Sequence, residues 1–140
     1  MISLRIPGTA MQKKPKILIV EDDPLVRRTF ARLMEEENYE VYCAENCRPA
    51  LEKIQQERFD LVLTDIRLGD GDGIEVLEFS KKNNPDGIVF MITGYASLDS
   101  MKEAMRKGAE DYIIKPIDMN LLLVKIKNVL DRRETLQPPD

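Results

Sequence analysis

Acidic, hydroxyl and ammonium side chains directly follow four of the short apolar runs in this sequence. Residues 17–20 are followed by Glu21, Asp22 and Asp23, residues 61–64 by Asp65, residues 88–92 by Thr93 and residues 112–114 by Lys115. Clustered carboxylates repel each other and are tolerated where a cation lies among them. A hard divalent cation, above all Mg²⁺, binds to one or two carboxylates, a backbone carbonyl and water, and such sites normally serve phosphate. The pattern predicts Mg²⁺-dependent phosphate chemistry if the fold brings these positions together.

Each of these residues also has an ordinary explanation when it is taken alone. Asp23 would serve as a helix cap, Thr93 as a turn hydroxyl and Lys115 as an exposed surface charge. These explanations do not account for the joint placement of the acids, the hydroxyl and the ammonium at the ends of apolar runs.

The elements that must position these residues can be predicted from hydropathy. Five apolar runs indicate strands, at 17–20, 41–44, 61–64, 88–92 and 112–114. Apolar residues at helical spacing lie between and after them, and Asp23, Asp72 and Asp118 are expected to cap three of the helices. The glycine-rich stretch 69–73 is expected to be a loop.

Five strands that alternate with five helices predict an α/β fold, with a doubly wound parallel sheet covered by helices on both faces. Ligands of such a sheet bind beyond the carboxyl ends of its strands. The acids, Thr93 and Lys115 are therefore expected to meet at one edge.

Length and composition limit the other possibilities. The 140 residues suit one domain, and we expect residues 1–15 to be a flexible or vector-derived extension, 16–131 the domain, and 132–140 a tail or the start of a linker. No apolar stretch is long enough for a transmembrane helix. The absence of histidine excludes His-based catalysis and His-ligated metals, and the net charge of −4 argues against direct nucleic-acid binding. Cys43 and Cys47 are expected to be reduced, mostly buried thiols.

From about Lys16 to Leu130 the sequence resembles the bacterial response-regulator receiver domain, which has a CheY-like, flavodoxin-like fold. Five segments carry the resemblance, in order: Val20–Asp23, Leu61–Asp65, Asp72–Gly73, Ile92–Gly94 and Asp111–Pro116. The resemblance implies a five-stranded sheet in the order 2-1-3-4-5. The segment 93–98 further resembles receivers of NtrC-type transcription activators.

The resemblance also implies a role for each matching residue. Asp65 is expected to be the phosphoacceptor and a Mg²⁺ ligand, Asp22 the direct Mg²⁺ ligand, Glu21 a ligand through water, the Arg67 carbonyl a further ligand, Thr93 the switch hydroxyl, Lys115 the phosphate-pairing lysine and Tyr112 the aromatic switch residue. The bond between Lys115 and Pro116 is expected to be cis.

The function implied by the resemblance is two-component phosphorelay signalling. A sensor histidine kinase or phosphotransfer protein would supply the phosphoryl group, and the domain would catalyse its own phosphorylation and dephosphorylation while serving mainly as a switch. The surface of the fourth helix, fifth strand and fifth helix would then control an output domain or effector protein, or form a phosphorylation-dependent homodimer. The implied location is the cytoplasm, without membrane binding.

One departure from the family pattern leaves an alternative open, and two other readings are disfavoured. Gly69 stands where the family usually has proline, which predicts a more mobile loop and leaves open a receiver-like interaction module that is not phosphorylated. A dehalogenase-type phosphatase would need a second acid where Arg67 stands. A flavodoxin-like flavin binder would need a hydroxyl-rich loop in place of the acidic residues 21–23.

Overall fold

The computed structural model describes residues 13–136, with side chains described as far as residue 133. Five strands form one parallel sheet: β1 (Lys16–Val20), β2 (Glu40–Ala44), β3 (Leu61–Asp65), β4 (Ile88–Thr93) and β5 (Asp111–Ile114). Five helices accompany them: α1 (Pro24–Glu36), α2 (Cys47–Gln56), α3 (Gly73–Asn83), α4 (Leu98–Arg106) and α5 (Met119–Leu136). The strand order β2-β1-β3-β4-β5 confirms the predicted order 2-1-3-4-5.

The sheet has a separate hydrophobic core on each face. Alternate residues of β1 point to opposite faces, so that Leu18 packs with residues of α2, α3 and α4, while Ile17 packs with residues of α1 and α5. Because both faces of the central strands are covered, these strands are apolar at nearly every position. This explains why hydropathy alone located them.

Local sequence signals begin and end most of the helices as expected. Asp23, Asp72 and Asp118 each accept hydrogen bonds from backbone N–H groups at the start of the following helix. Gly108 follows α4 with a positive φ of 106°, which is the conformation that favours glycine after a helix. Helix α5 continues to Leu136, five residues into the segment 132–140 that was expected to be a tail or the start of a linker.

Several of the predictions fall at the edges of the described chain or concern single side chains. Residues 1–12 of the predicted extension and residues 137–140 of the predicted tail lie outside the described residues. Cys43 and Cys47 are free thiols, the first half-buried and the second buried. Within the described part of the chain, no helix is both long and apolar enough to cross a membrane.

Candidate functional site

The carboxyl ends of the strands place the predicted site residues at one edge of the sheet. Strand β3 lies between β1 and β4, and Asp65, its last residue, pairs with Ile92 of β4. Thr93 is the next residue along β4, and its carbonyl accepts a hydrogen bond from the backbone N–H of Lys115 at 2.8 Å. The ends of β3, β4 and β5 are therefore tied together by backbone pairing.

Three acids converge at this edge. Carboxylate oxygens of Glu21, Asp22 and Asp65 all lie within 4.8 Å of one another. Glu21 and Asp65 are only 3% and 8% exposed, whereas Asp22 is exposed. Such an all-oxygen set, with two buried members and one that reaches solvent, fits a hard divalent cation that keeps part of its water shell.

Asp23 belongs to the helix rather than to this cluster. Its Oδ1 accepts hydrogen bonds from the backbone N–H groups of Leu25 and Val26, at 2.9 and 3.3 Å. Of these two neighbouring acids, Asp22 lies in the carboxylate cluster and Asp23 caps α1.

Lys115 supplies the positive charge of the site. Its Nζ donates to Oδ2 of Asp65 at 2.9 Å and to Oε1 of Glu21 at 3.0 Å. Burial lowers the pKa of the Lys115 ammonium, but its hydrogen bonds with Asp65 and Glu21 outweigh burial and leave that pKa above its usual value. Burial raises the pKa of Glu21, although hydrogen bonds from Lys115 and from the backbone N–H of Asp23 oppose the shift. The Lys115–Pro116 bond is cis, as predicted.

The chain after Asp65 is held in a defined turn. Arg67–Leu68 pairs antiparallel with Gly71–Asp72, a short ladder within the stretch that was expected to be a loop. The backbone N–H of Arg67 donates to Oδ1 of Asp65 at 3.3 Å. The role of the Arg67 carbonyl as a metal ligand stays a prediction.

Gly73 lets the chain return close to the backbone of Asp65. A Cβ atom at residue 73 would lie 2.1 Å from the backbone carbonyl oxygen of Asp65, which is far inside van der Waals contact. The N–H of Gly73 also donates to the carbonyl of Ile66 at 2.7 Å. Only glycine permits this approach of two backbone segments.

Asp70 anchors the same loop to a distant helix. Its carboxylate accepts hydrogen bonds from the backbone N–H groups of Cys47 and Arg48, at 2.6 and 2.8 Å. It thereby caps α2, whose own N-cap residue, Asn46, makes no side-chain cap bond. The glycine-rich stretch 69–73 was expected to be a mobile loop. The antiparallel ladder and the cap on α2 attach this stretch to the rest of the domain.

The two predicted switch residues occupy neighbouring strands. Thr93 is fully buried, and its Oγ1 accepts a hydrogen bond from the backbone N–H of Tyr95 at 2.9 Å. Tyr112 is half-buried on β5, and its hydroxyl is hydrogen-bonded to the hydroxyl of Ser100 on α4. Tyr112 is thus bonded to α4 and Thr93 to the loop that precedes it, but Ser100 as the partner of Tyr112 was not predicted.

A second unpredicted contact joins the two loops that leave β3 and β4. The guanidinium carbon of Arg67 lies 3.9 Å from the centroid of the Tyr95 ring. No local pattern pairs these two residues, because they are brought together only by the register of β3 with β4.

Comparison with known proteins agrees with this arrangement. The response regulator receiver domain family matches residues 17–127. The transcriptional regulatory protein ZraR of Klebsiella oxytoca is 39% identical over 123 residues, which are 88% of this chain and 28% of that protein. The chain thus spans less than a third of the length of this curated relative.

Two solved structures are similar over most of this chain. A response regulator receiver domain protein (CheY-like) from Methanospirillum hungatei JF-1 superposes with a TM-score of 0.87 at 40% identity, covering 89% of this chain and 100% of that one. The beryllofluoride-activated NtrC4 receiver domain dimer gives a TM-score of 0.78 at 32% identity, covering 84% of this chain and 98% of that one. Together with the family match and the strand order, these findings show that the chain belongs to the response regulator receiver domain family and is homologous to receivers of NtrC-type regulators.

Proposed function

We propose that this domain accepts a phosphoryl group onto Asp65 from a partner histidine kinase or phosphotransfer protein, in a Mg²⁺-dependent reaction. The observation that supports the proposal best is the position of Asp65. Its buried carboxylate is hydrogen-bonded to the ammonium of Lys115 and lies within 4.8 Å of two further acids. A complete set of this kind argues against the alternative of a receiver-like module that is not phosphorylated.

The side chains present suit in-line transfer of a phosphoryl group. A carboxylate oxygen of Asp65 would form a bond to phosphorus while the bond from phosphorus to the donor breaks and the donor keeps that electron pair. The Lys115 ammonium would stabilise the charge on the equatorial oxygens. Glu21, Asp22, Asp65 and the Arg67 carbonyl would hold a Mg²⁺ ion, which supplies further neutralisation of the phosphoryl charge when it is bound.

Hydrolysis of the aspartyl phosphate would return the domain to its resting state. A water molecule would attack phosphorus, the bond to Asp65 would break, and the carboxylate would be released together with inorganic phosphate. The attacking water would lose a proton to solvent or to the phosphate formed. The domain would therefore catalyse its own phosphorylation and dephosphorylation, although its principal role is that of a signalling switch.

The surface made by α4, β5 and α5 is the proposed output surface. Thr93 would hydrogen-bond to the phosphoryl group and leave space for Tyr112 to turn inward. Exposed apolar side chains already mark this surface: Leu98, Met101, Met105, Ile114, Leu121 and Val124. Exposed apolar groups of this kind are typical of a surface that binds a protein.

The partner of this surface is proposed to be an output domain or effector protein, or a second copy of the phosphorylated domain. The beryllofluoride-activated NtrC4 receiver is itself a dimer, and ZraR is a transcriptional regulatory protein much longer than this chain. The net charge of −4 gives this domain no basis for binding nucleic acid directly. We place the phosphorelay in the cytoplasm.

Intact-mass measurement after incubation with acetyl phosphate tests the proposal. Wild type should gain one phosphoryl group with Mg²⁺ and none with EDTA, and Asp65→Asn should gain none. Asp22→Asn should label much more weakly, whereas the matched variant Asp23→Asn should label like wild type, because Asp23 caps α1 and asparagine caps equally well. Equal labelling of wild type and Asp65→Asn would refute the assignment, and a complete lack of labelling would favour the unphosphorylated module.

A further inference from the structure

Arg67 and Tyr95 form a contact that the proposed phosphorylation chemistry does not use. The guanidinium of Arg67 stacks on the Tyr95 ring at 3.9 Å, which is close for a cation–π contact. Both side chains lie at the surface, and Tyr95 is 65% exposed. Burial therefore contributes little to their placement, and the stack is the contact that holds the two side chains together.

The backbone of each residue is bonded to a different member of the site. The N–H of Arg67 donates to Oδ1 of Asp65, and the N–H of Tyr95 donates to Oγ1 of Thr93 at 2.9 Å. The stack thus connects the loop that begins at the proposed phosphoacceptor with the loop that holds the switch hydroxyl. It does so in the arrangement in which Thr93 is engaged with its own loop.

We propose that the Arg67–Tyr95 stack senses the phosphoryl charge and relays it to Thr93. This inference rests on the proposed function, because it requires a phosphoryl group on Asp65. The resting domain keeps the Arg67 guanidinium on the ring of Tyr95. Phosphorylation breaks that contact and frees the loop that holds Thr93.

Charge explains the direction of the change. A phosphoryl group on Asp65 carries up to about two negative charges and three strong acceptor oxygens. The backbone N–H of Arg67 is hydrogen-bonded to this same carboxylate. A guanidinium binds phosphate oxygens through charged, directional hydrogen bonds, which are stronger than a cation–π contact at an exposed site. Arg67 therefore exchanges the ring for the phosphoryl group.

The backbone bond explains how Thr93 responds. The Thr93 hydroxyl must leave the N–H of Tyr95 before it can turn toward a phosphoryl oxygen. While Arg67 holds Tyr95, the loop that carries this N–H is fixed. Once the stack is broken, the loop is free to move and the hydroxyl is released.

Affinity for beryllofluoride, the activator named for the NtrC4 receiver, tests the inference with opposite signs for the two residues. Tyr95→Leu removes the stack but keeps Arg67, so its apparent affinity should rise about two- to fivefold, the range that an exposed cation–π contact supports. Arg67→Gln also loses the group that binds the fluorides, so its affinity should fall below that of wild type. The measurement is a titration with beryllium and fluoride in Mg²⁺, followed by amide resonances.

Three further variants make the test specific. Tyr95→Phe keeps the ring and should bind like wild type, and Lys82→Gln removes an exposed charge elsewhere and should also bind like wild type. In the Arg67→Gln background, Tyr95→Leu should change nothing, because the stack is already lost. Thermal unfolding of every variant shows whether each one is folded at the temperature of the titration.

The outcomes separate this inference from the proposed function. If wild type fails to bind beryllofluoride, the proposed function is contradicted. If wild type binds beryllofluoride but Tyr95→Leu binds it no more tightly, the relay is wrong while the proposed function stands. The same holds if Tyr95→Leu increases the affinity equally in the Arg67→Gln background.

Discussion

Lys115 balances the two most deeply buried acids of the site. Its ammonium contacts both Glu21 and Asp65, which lie 94 and 50 residues away in the chain. Buried carboxylates that lose a hydrogen-bonding cation keep their desolvation cost without compensation. We therefore expect the lysine that the proposed chemistry uses to stabilise the fold as well.

Replacing Lys115 should reveal this structural role in metal-free buffer. Lys115→Met keeps the length of the stem but removes the charge, and we expect the free energy of unfolding to fall by about 1–3 kcal/mol. Urea unfolding measures the change. Lys127→Met is the matched control, because the Lys127–Asp131 pair is exposed and its loss should have little effect. Equal urea midpoints for wild type and Lys115→Met would show that the contacts of Lys115 with Glu21 and Asp65 do not stabilise the fold.

At the scale of the element, Asp70 links the loop after β3 to the start of α2. Its bonds to the N–H groups of Arg48 and Cys47 hold the pKa of the Asp70 carboxyl below its usual value. A carboxyl with a lowered pKa in the folded state stabilises that state above its usual pKa, and the contribution is lost as the pH falls through the folded value. The cap should therefore act at neutral pH and fade in acid.

Asp70→Ala should loosen both the helix and the loop. We expect Tm at pH 7 to fall by about 2–6 °C, which is typical of a lost helix cap in a domain of this size, and amide exchange at Cys47 and Arg48 to accelerate. The difference in Tm should shrink as the pH falls below about 4, the usual pKa of an aspartate, toward the lower pKa of the folded state. Asp86→Ala, an exposed acid with no hydrogen bond in the described chain, serves as the control. A Tm difference that persisted unchanged at pH 3 would show that Asp70 does not act through its charge.

At the scale of the whole molecule, the proposed switch should change one surface and leave the rest in place. Thr93 is bonded to the loop that precedes α4, and Tyr112 is bonded to Ser100 on that helix. Helices α1 and α2 pack on opposite faces of the sheet, against β1 and β2, and take no part in these bonds.

Hydrogen exchange with and without beryllofluoride should locate this change. In the presence of Mg²⁺, we expect the largest differences over residues 97–127 and little change over 26–54, because the hydrogen bond of Tyr112 joins β5 to α4. Asp65→Asn should show no difference under the same conditions. Changes confined to 26–54 would mean that another surface carries the output.

Much of this protein was predictable from its sequence because the relevant physics is local. A strand buried on both faces is a continuous apolar run, so all five strands were located, and a parallel sheet places the ends of such strands at one edge. Helix caps act within three residues, so Asp23, Asp72 and Asp118 were also recognised. The side chains that follow the strands therefore identified the site.

The tertiary structure alone decided which side chains meet across that edge. Three contacts join parts of the chain that belong to different elements or loops: the cap that Asp70 places on α2, the approach of residue 73 to the carbonyl of Asp65, and the stack of Arg67 on Tyr95. Hydropathy and capping patterns describe a residue's relation to its own element, and they carry no information about the distance between two loops. That distance is set by strand register and by the packing of helices on the sheet, so these contacts could be found only in the folded molecule.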